Sequence, residues 1–166
     1  MNAIEIAIRM ETDAIKFYRE ASEKVQNTVG KKMFLSIMED EKRHLDMLRE
    51  IFKGLEITVL NVSPMKNIRT IFEEFKEEMM NRVTATNDEL ESFRIAMTME
   101  KEGMEFYRKQ AKEAVSPKEQ ALFERLVKEE EEHHAVFANT YSFLKDTGNW
   151  YLWEEHSIVD GGTPWA

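Results

Sequence analysis

The sequence predicts an all-α protein, a bundle of four long helices, and three observations support this fold class. Apolar residues recur at alternating steps of three and four in four long segments, which is the spacing of one buried helix face. Glycine and proline, the residues that most often interrupt helices, number only 6 and 3. The pattern of the first half of the chain returns after 89 residues, as from Glu11 to Glu100. We therefore expect two similar helix pairs.

The first helix pair is predicted within about residues 3–53. Its first helix runs from about Ala3 to Gln26. Gly30 indicates a tight turn, so the second helix, from about Lys31 to Lys53, is expected to lie antiparallel to the first. Gly54 is a typical C-terminal cap. The predicted buried face of the first helix contains Ile4, Ile8, Glu11, Ile15, Tyr18, Ser22 and Val25, and that of the second contains Phe34, Ile37, Glu41, His44, Leu48 and Ile51.

Residues 54–86 are predicted to connect the two helix pairs. The run from Leu55 to Val62 is rich in β-branched residues and has no helical period. Ser63 and Pro64 then indicate the start of a shorter amphipathic helix, from Met65 to Val83. Because this helix has no paired acid and histidine on one face, we assign it a connecting role.

The second helix pair is predicted within about residues 87–146. The third helix begins near Asn87 or Asp88 and ends near Ala114, and Gly148 follows the end of the fourth. The fourth helix starts with a capping box and a proline in its first turn, formed by Ser116, Pro117 and Glu119. The predicted buried face of the third helix contains Phe93, Met97, Glu100, Met104, Tyr107, Ala111 and Ala114, and that of the fourth contains Phe123, Leu126, Glu130, His133, Phe137 and Thr140.

Composition and charge argue against several classes of function. The net charge of −9 disfavours nucleic acid or an anionic membrane surface as a partner, since both attract basic patches. Without cysteine, the chain has no disulfide, thiolate metal ligand or thiol nucleophile. Charged residues interrupt the apolar N-terminus, which indicates neither a signal peptide nor a membrane span, and we expect a cytoplasmic protein. One domain is expected over residues 1–147, followed by a tail, residues 148–166, whose three tryptophans need a surface to cover.

Charged residues that a core does not normally contain occur at equivalent positions of the two pairs: Glu11, Glu41 and His44 in the first, and Glu100, Glu130 and His133 in the second. A glutamate and a histidine three residues apart share one helix face, so each such motif can bind one metal ion. Four carboxylates in one dry pocket repel each other unless they are protonated or bound to metal, and two divalent cations balance their charge. Carboxylate and imidazole ligands suit iron, with manganese and zinc as alternatives.

A second Glu-x-x-His motif, Glu131 with His134, overlaps the one in the fourth helix. The apolar stripe and the repeat interval both favour Glu130 and His133 as the buried pair. We therefore expect His134 at the surface and a structural role for His156 in the tail.

The segments AIRMETDAIKFYREAS with DEKRH, and IAMTMEKEGMEFYRKQA with EEEEH, resemble the di-iron domain of the rubrerythrins over about residues 3–146. Such ferritin-like proteins take one glutamate from each of two helices and a Glu-x-x-His motif from each of the other two. The resemblance implies a long crossover between helices two and three, which then run parallel, and a homodimer. It also implies two iron ions that are bridged by Glu41 and Glu130 and completed by Glu11 with His44 and by Glu100 with His133.

Four further residues are candidates around the implied di-iron site. In related bundles, an acid at the position of Asp40 or Glu129 accepts a hydrogen bond from the histidine of the opposite motif. The alternative is that both are ordinary solvated acids. Tyr18 and Tyr107 lie two turns after the first glutamates, where they are expected either to bond a carboxylate or supply an electron, or only to pack in the core.

The chain departs from the rubrerythrin pattern at two points. Rubrerythrins commonly carry a rubredoxin domain with four iron-binding cysteines, and this chain has no cysteine. Electrons are therefore expected from a separate protein. In rubrerythrins, a second glutamate often lies three residues after the ligand of the third helix, which is Glu100 here. Gly103 occupies that position in this chain. The glycine therefore argues against the movement of one iron ion that, in rubrerythrins, favours reaction with peroxide.

The leading functional hypothesis is a rubrerythrin-like oxidoreductase that reduces peroxide or dioxygen at a di-iron site. The principal alternative is a ferritin-like iron-binding protein that stores iron through ferroxidase activity. Hydroxylation of a macromolecule and a metal-stabilised adaptor without turnover are further alternatives.

Overall fold

A computed structural model describes residues 2–54 and 87–145, which form four helices. These are α1 (Ala3–Lys24), α2 (Thr28–Phe52), α3 (Asn87–Glu113) and α4 (Pro117–Lys145). The helices pack pairwise, α1 on α2 and α3 on α4, so the predicted all-α bundle is confirmed. The predicted connecting helix, the path of the crossover and the aromatic tail with His156 lie outside the described residues.

The turn between α1 and α2 lies earlier than predicted. Helix α2 begins at Thr28, and the side chain of Asn27 caps it by accepting a hydrogen bond from the backbone N–H of Gly30, 2.8 Å away. The assignment of Gly30 to the turn was therefore wrong, because this residue lies in the first turn of the helix. A Cβ at Gly30 would lie 3.0 Å from Cγ1 of Val25 and 3.1 Å from Cζ of Phe93, so the glycine permits close packing.

The other predicted helix ends that fall within the described residues agree closely with the structure, and Gly148 lies outside them. Gly54 has φ of 73°, the left-handed conformation that glycine adopts at low cost after a helix. The hydroxyl of Ser116 accepts a hydrogen bond from the backbone N–H of Glu119, 3.4 Å away, at the start of α4. At the start of α1, Asn2 and Glu5 form a reciprocal capping box, which was not among the predicted helix signals.

Two separate apolar clusters form the core, and the order in which each helix enters them gives its direction. The first cluster includes Tyr18, Phe34, Phe93 and Phe137, and the second includes Ile4, Leu48, Tyr107 and Phe123. Along α1 and α4 the chain passes from the second cluster to the first, whereas along α2 and α3 it passes from the first to the second. Helices α2 and α3 are therefore parallel, and the 25 residues of α2 span about 38 Å.

A layer of buried charged residues separates the two apolar clusters. Each helix contributes to this layer near the point where its residues pass from one cluster to the other: Glu11 from α1, Glu41 and His44 from α2, Glu100 from α3, and Glu130 and His133 from α4. Over the described residues, no helix carries an apolar run long enough to cross a bilayer. The homodimer and the cytoplasmic location stay predictions.

Candidate metal centre

The six predicted ligands converge in the middle of the bundle, where none is more than 4% exposed. They form two sets in which the ligand atoms lie within 4.8 Å of one another. Glu41 and Glu130 belong to both sets. Glu11 and His44 complete the first set, and Glu100 and His133 complete the second.

The two carboxylates that belong to both sets lie between the two histidines. Glu41 places Oε2 at 2.9 Å from Nδ1 of His44 and Oε1 at 3.0 Å from Nδ1 of His133. Glu130 places Oε1 at 3.1 Å from Nδ1 of His44 and Oε2 at 3.9 Å from Nδ1 of His133. Each carboxylate thus directs one oxygen toward each histidine, so that it could be shared by two metal ions.

Several atoms at this point are buried without a hydrogen-bond partner of normal geometry: both carboxylate oxygens of Glu41, Oε2 of Glu100, Oε1 of Glu130, and Nδ1 of His44 and His133. Burying an unsatisfied polar or charged atom costs on the order of 1–3 kcal/mol or more. Divalent cations would satisfy these atoms together, because all of them are oxygen or imidazole ligands and they face one centre. The residues therefore fit a pair of metal ions.

The far side of each imidazole is held by an acid from the opposite motif. Nε2 of His44 lies 2.5 Å from Oε2 of Glu129, and Nε2 of His133 lies 3.1 Å from Oδ2 of Asp40. When Nε2–H donates to the acid, Nδ1 keeps its lone pair for the centre. Asp40 and Glu129 are only 3% and 5% exposed, so the alternative of ordinary solvated acids does not hold.

Two arginines, neither of them predicted as a site residue, hold these acids in place. Arg43 Nη2 donates to Asp40 at 2.9 Å and to Glu129 at 3.1 Å, and Arg125 Nε lies 3.1 Å from Glu129. Burial by itself raises the pKa of both carboxyls, but hydrogen bonds from the histidine and from Arg43 outweigh it. The net effect lowers the pKa of both acids, which stay ionised beside the imidazoles.

Each of the two tyrosines donates a hydrogen bond to a carboxylate of the other helix pair. The hydroxyl of Tyr18 donates to Glu100, and that of Tyr107 donates to Glu11. Both rings are buried. Burial and then the neighbouring carboxylates raise the pKa of each phenol well above its usual value, so both hydroxyls remain donors at neutral pH.

Glu11 and Glu100, the carboxyl groups that belong to only one ligand set each, keep their protons to an unusually high pH. Burial first, and then repulsion from Glu41, raise the pKa of Glu11 to about 7. Burial first, and then repulsion from Glu130, raise the pKa of Glu100 to about 8. The surrounding carboxylates raise the pKa of His44 and His133 despite opposing burial. Metal ions that bind here must therefore displace protons.

The competing motif in α4 faces away from this centre. Glu131 is exposed and pairs with Arg108, with Oε1 3.0 Å from Nη2. His134 is half-buried, somewhat less exposed than expected, and burial followed by the charge of Lys101 lowers its pKa. The 89-residue repeat interval thus correctly predicted that Glu130 and His133 are the buried pair.

A cavity of about 190 Å³ adjoins the centre between α1 and α3. Gly103 lines it, and a Cβ at this position would lie 3.7 Å from Oε2 of Glu130. The equivalent residue of the first pair, Ala14, also lines the cavity. The small side chains at these two positions leave space beside the bridging carboxylate.

We predict that Glu129→Gln weakens binding of one metal ion by about 10–100-fold, because the imidazole of His44 loses its charged acceptor. The second ion, on the side of His133, is expected to bind almost normally. Competition between the protein and a chelator for Co²⁺ measures both affinities. Glu124→Gln, an exposed acid of the same helix, is the matched control. Unchanged affinity in Glu129→Gln would contradict this role.

Comparison of the whole chain with known proteins identifies one family. Comparisons with curated proteins and with solved structures gave no match. The family model described as Rubrerythrin matches residues 2–141, which include all four described helices except the last residues of α4. The chain belongs to the rubrerythrin family.

Proposed function

We propose that this protein is a di-iron oxidoreductase that reduces peroxide or dioxygen. The observation that carries the proposal is the placement of Glu41 and Glu130, each with one oxygen toward His44 and the other toward His133. Two metal ions that share two carboxylates and have one imidazole each fit this arrangement. Iron suits such ligands, and rubrerythrins are typically di-iron peroxidases.

The bound iron pair would supply redox chemistry to an oxygen–oxygen bond. Reduction of one hydrogen peroxide molecule to two water molecules consumes two electrons and two protons. The 166 residues contain no cysteine with which to hold a rubredoxin-type iron centre. The electrons must therefore reach the centre from a donor outside these 166 residues, for which a separate protein is our proposal.

The protein's own residues orient the ligands and cover the centre at both ends of the bundle. Tyr18 and Tyr107 fix the two terminal carboxylates through their hydroxyls, and Asp40 and Glu129 fix the imidazoles. The apolar clusters close the layer on both sides. An oxidant as small as peroxide or dioxygen can approach through the cavity beside Gly103.

The test is anaerobic loading with ferrous iron, followed by stopped-flow mixing with hydrogen peroxide or with air-saturated buffer. We expect each chain to bind two iron ions and to be oxidised faster than free ferrous ion by at least one of the two oxidants. Glu131→Gln, from the overlapping motif that faces outward, is expected to behave like the unaltered protein. Oxidation no faster than that of free ferrous ion would refute the enzymatic proposal.

Iron stoichiometry separates this function from storage. A protein with only the described centre takes up two ions per chain and then stops, however much ferrous iron and air are supplied. Continued uptake into a mineral would instead favour the storage function. Elemental analysis of the protein after gel filtration measures the ratio.

A further inference from the structure

The cavity between α1 and α3 follows the internal symmetry of the chain. The residues that line it form six pairs related by the 89-residue repeat interval, such as Met10 with Met99 and Asp13 with Glu102. The cavity therefore has equivalent walls from the two halves of the protein, and it meets both halves of the candidate centre.

This cavity joins exposed carboxylates to buried ones. Asp13 and Glu102 are exposed, and neither side chain pairs with another of the described residues. The inner wall includes Glu41, Glu100 and Glu130, which are at most 4% exposed and which carry oxygens without a hydrogen-bond partner. A cation that leaves solvent here meets carboxylate oxygens at the outer edge and again at the centre.

The opposite side of the centre is unfavourable for a cation. There the imidazoles of His44 and His133 are backed by Asp40 and Glu129, whose charges are already paired with guanidinium groups. Arg43 lies across both acids and repels an approaching positive ion. The charge distribution thus favours approach from the α1 and α3 side.

We propose that this cavity is the route by which divalent metal ions reach the centre, and that Asp13 and Glu102 attract the ion and pass it inward. The proposal rests on the metal-binding function proposed above. Unlike the six ligands, these two acids are not needed to hold the metal once it has arrived. Their removal should therefore slow uptake without changing the final metal content.

The test compares two double variants that each change the net charge by the same amount. Asp13→Asn with Glu102→Gln removes the acids at the cavity, whereas Glu20→Gln with Glu105→Gln removes exposed acids of the same two helices that do not line it. Stopped-flow absorbance follows the binding of Co²⁺ to metal-free protein at low and high salt. We expect uptake to slow by about tenfold in the cavity variant at low salt, and by less at high salt, because focused charge raises association rates by roughly 10–10³-fold.

The outcomes separate this proposal from the one on which it rests. Slower uptake confined to the cavity variant, with two ions still bound at the end, supports the route. Equal rates in all proteins, or equal slowing in both variants, overturn it while leaving the metal centre intact. If the unaltered protein binds no Co²⁺, Zn²⁺ or Fe²⁺, the metal centre itself is refuted, and the route with it.

Discussion

Glu41→Ala is expected to reduce the bound metal from two ions per chain to none. Glu41 belongs to both ligand sets, and its two oxygens face different histidines. Its removal takes one ligand from each ion and also the negative charge that offsets their mutual repulsion. Elemental analysis after loading with Fe²⁺ or Co²⁺ and gel filtration gives the metal content. Glu130→Ala is expected to give the same result, since Glu130 is also shared.

Glu11→Ala is the matched comparison for this prediction. Glu11 is as buried as Glu130 but belongs to one set only, so its loss is expected to weaken mainly one ion. Circular dichroism of each variant shows whether the helices are retained. Equal metal content in folded Glu41→Ala and Glu11→Ala proteins would contradict the assignment of bridging and terminal ligands.

The layout of the candidate centre was predictable because each ligand interrupts an apolar helix face. A glutamate or histidine at such a position is a local signal, and its return after a fixed interval makes coincidence improbable. The same interval distinguished Glu130 from Glu131, which the structure places on the buried and exposed sides of one helix. The parallel direction of α2 and α3 was expected only from the resemblance to the rubrerythrins, since two similar helix pairs can be joined in either relative direction.

Features that break the repeat or depend on close packing were not predictable. Arg43 contacts both acids behind the histidines, but the equivalent residue of the second pair is Glu132, so the repeat gave no indication of it. Gly30 was assigned to a turn because glycine is common there. Its actual constraint is close packing against Val25 and the ring of Phe93, and Phe93 is distant in sequence and reaches it only in the folded bundle.

Removal of the metal ions is expected to lower the melting temperature by about 20 °C near neutral pH. An ion present at about 1,000 times its dissociation constant stabilises the folded state by about 4 kcal/mol, so two ions contribute about 8 kcal/mol. For a chain of this size, 1 kcal/mol corresponds to roughly 2–4 °C. Calorimetry of the loaded protein and of protein stripped with a chelator measures the difference, and Glu41→Ala, which is expected to bind no metal, should show none.

The stabilisation by metal should also grow as the pH rises from about 5 to 8. In the metal-free protein the pKa of Glu11 and Glu100 is raised from 4.5 to about 7 and about 8, and the pKa of both buried histidines is raised above 6.5. A group whose pKa is raised on folding stabilises the folded state below its unfolded pKa, and this contribution is lost as the pH rises through the folded pKa. Asp40 and Glu129, whose pKa values are lowered, are largely ionised in both states over this range and do not compensate. Because bound cations replace the lost protons, the difference in melting temperature between loaded and stripped protein should increase with pH. A difference that decreases toward pH 8 would show that these groups do not share one metal centre.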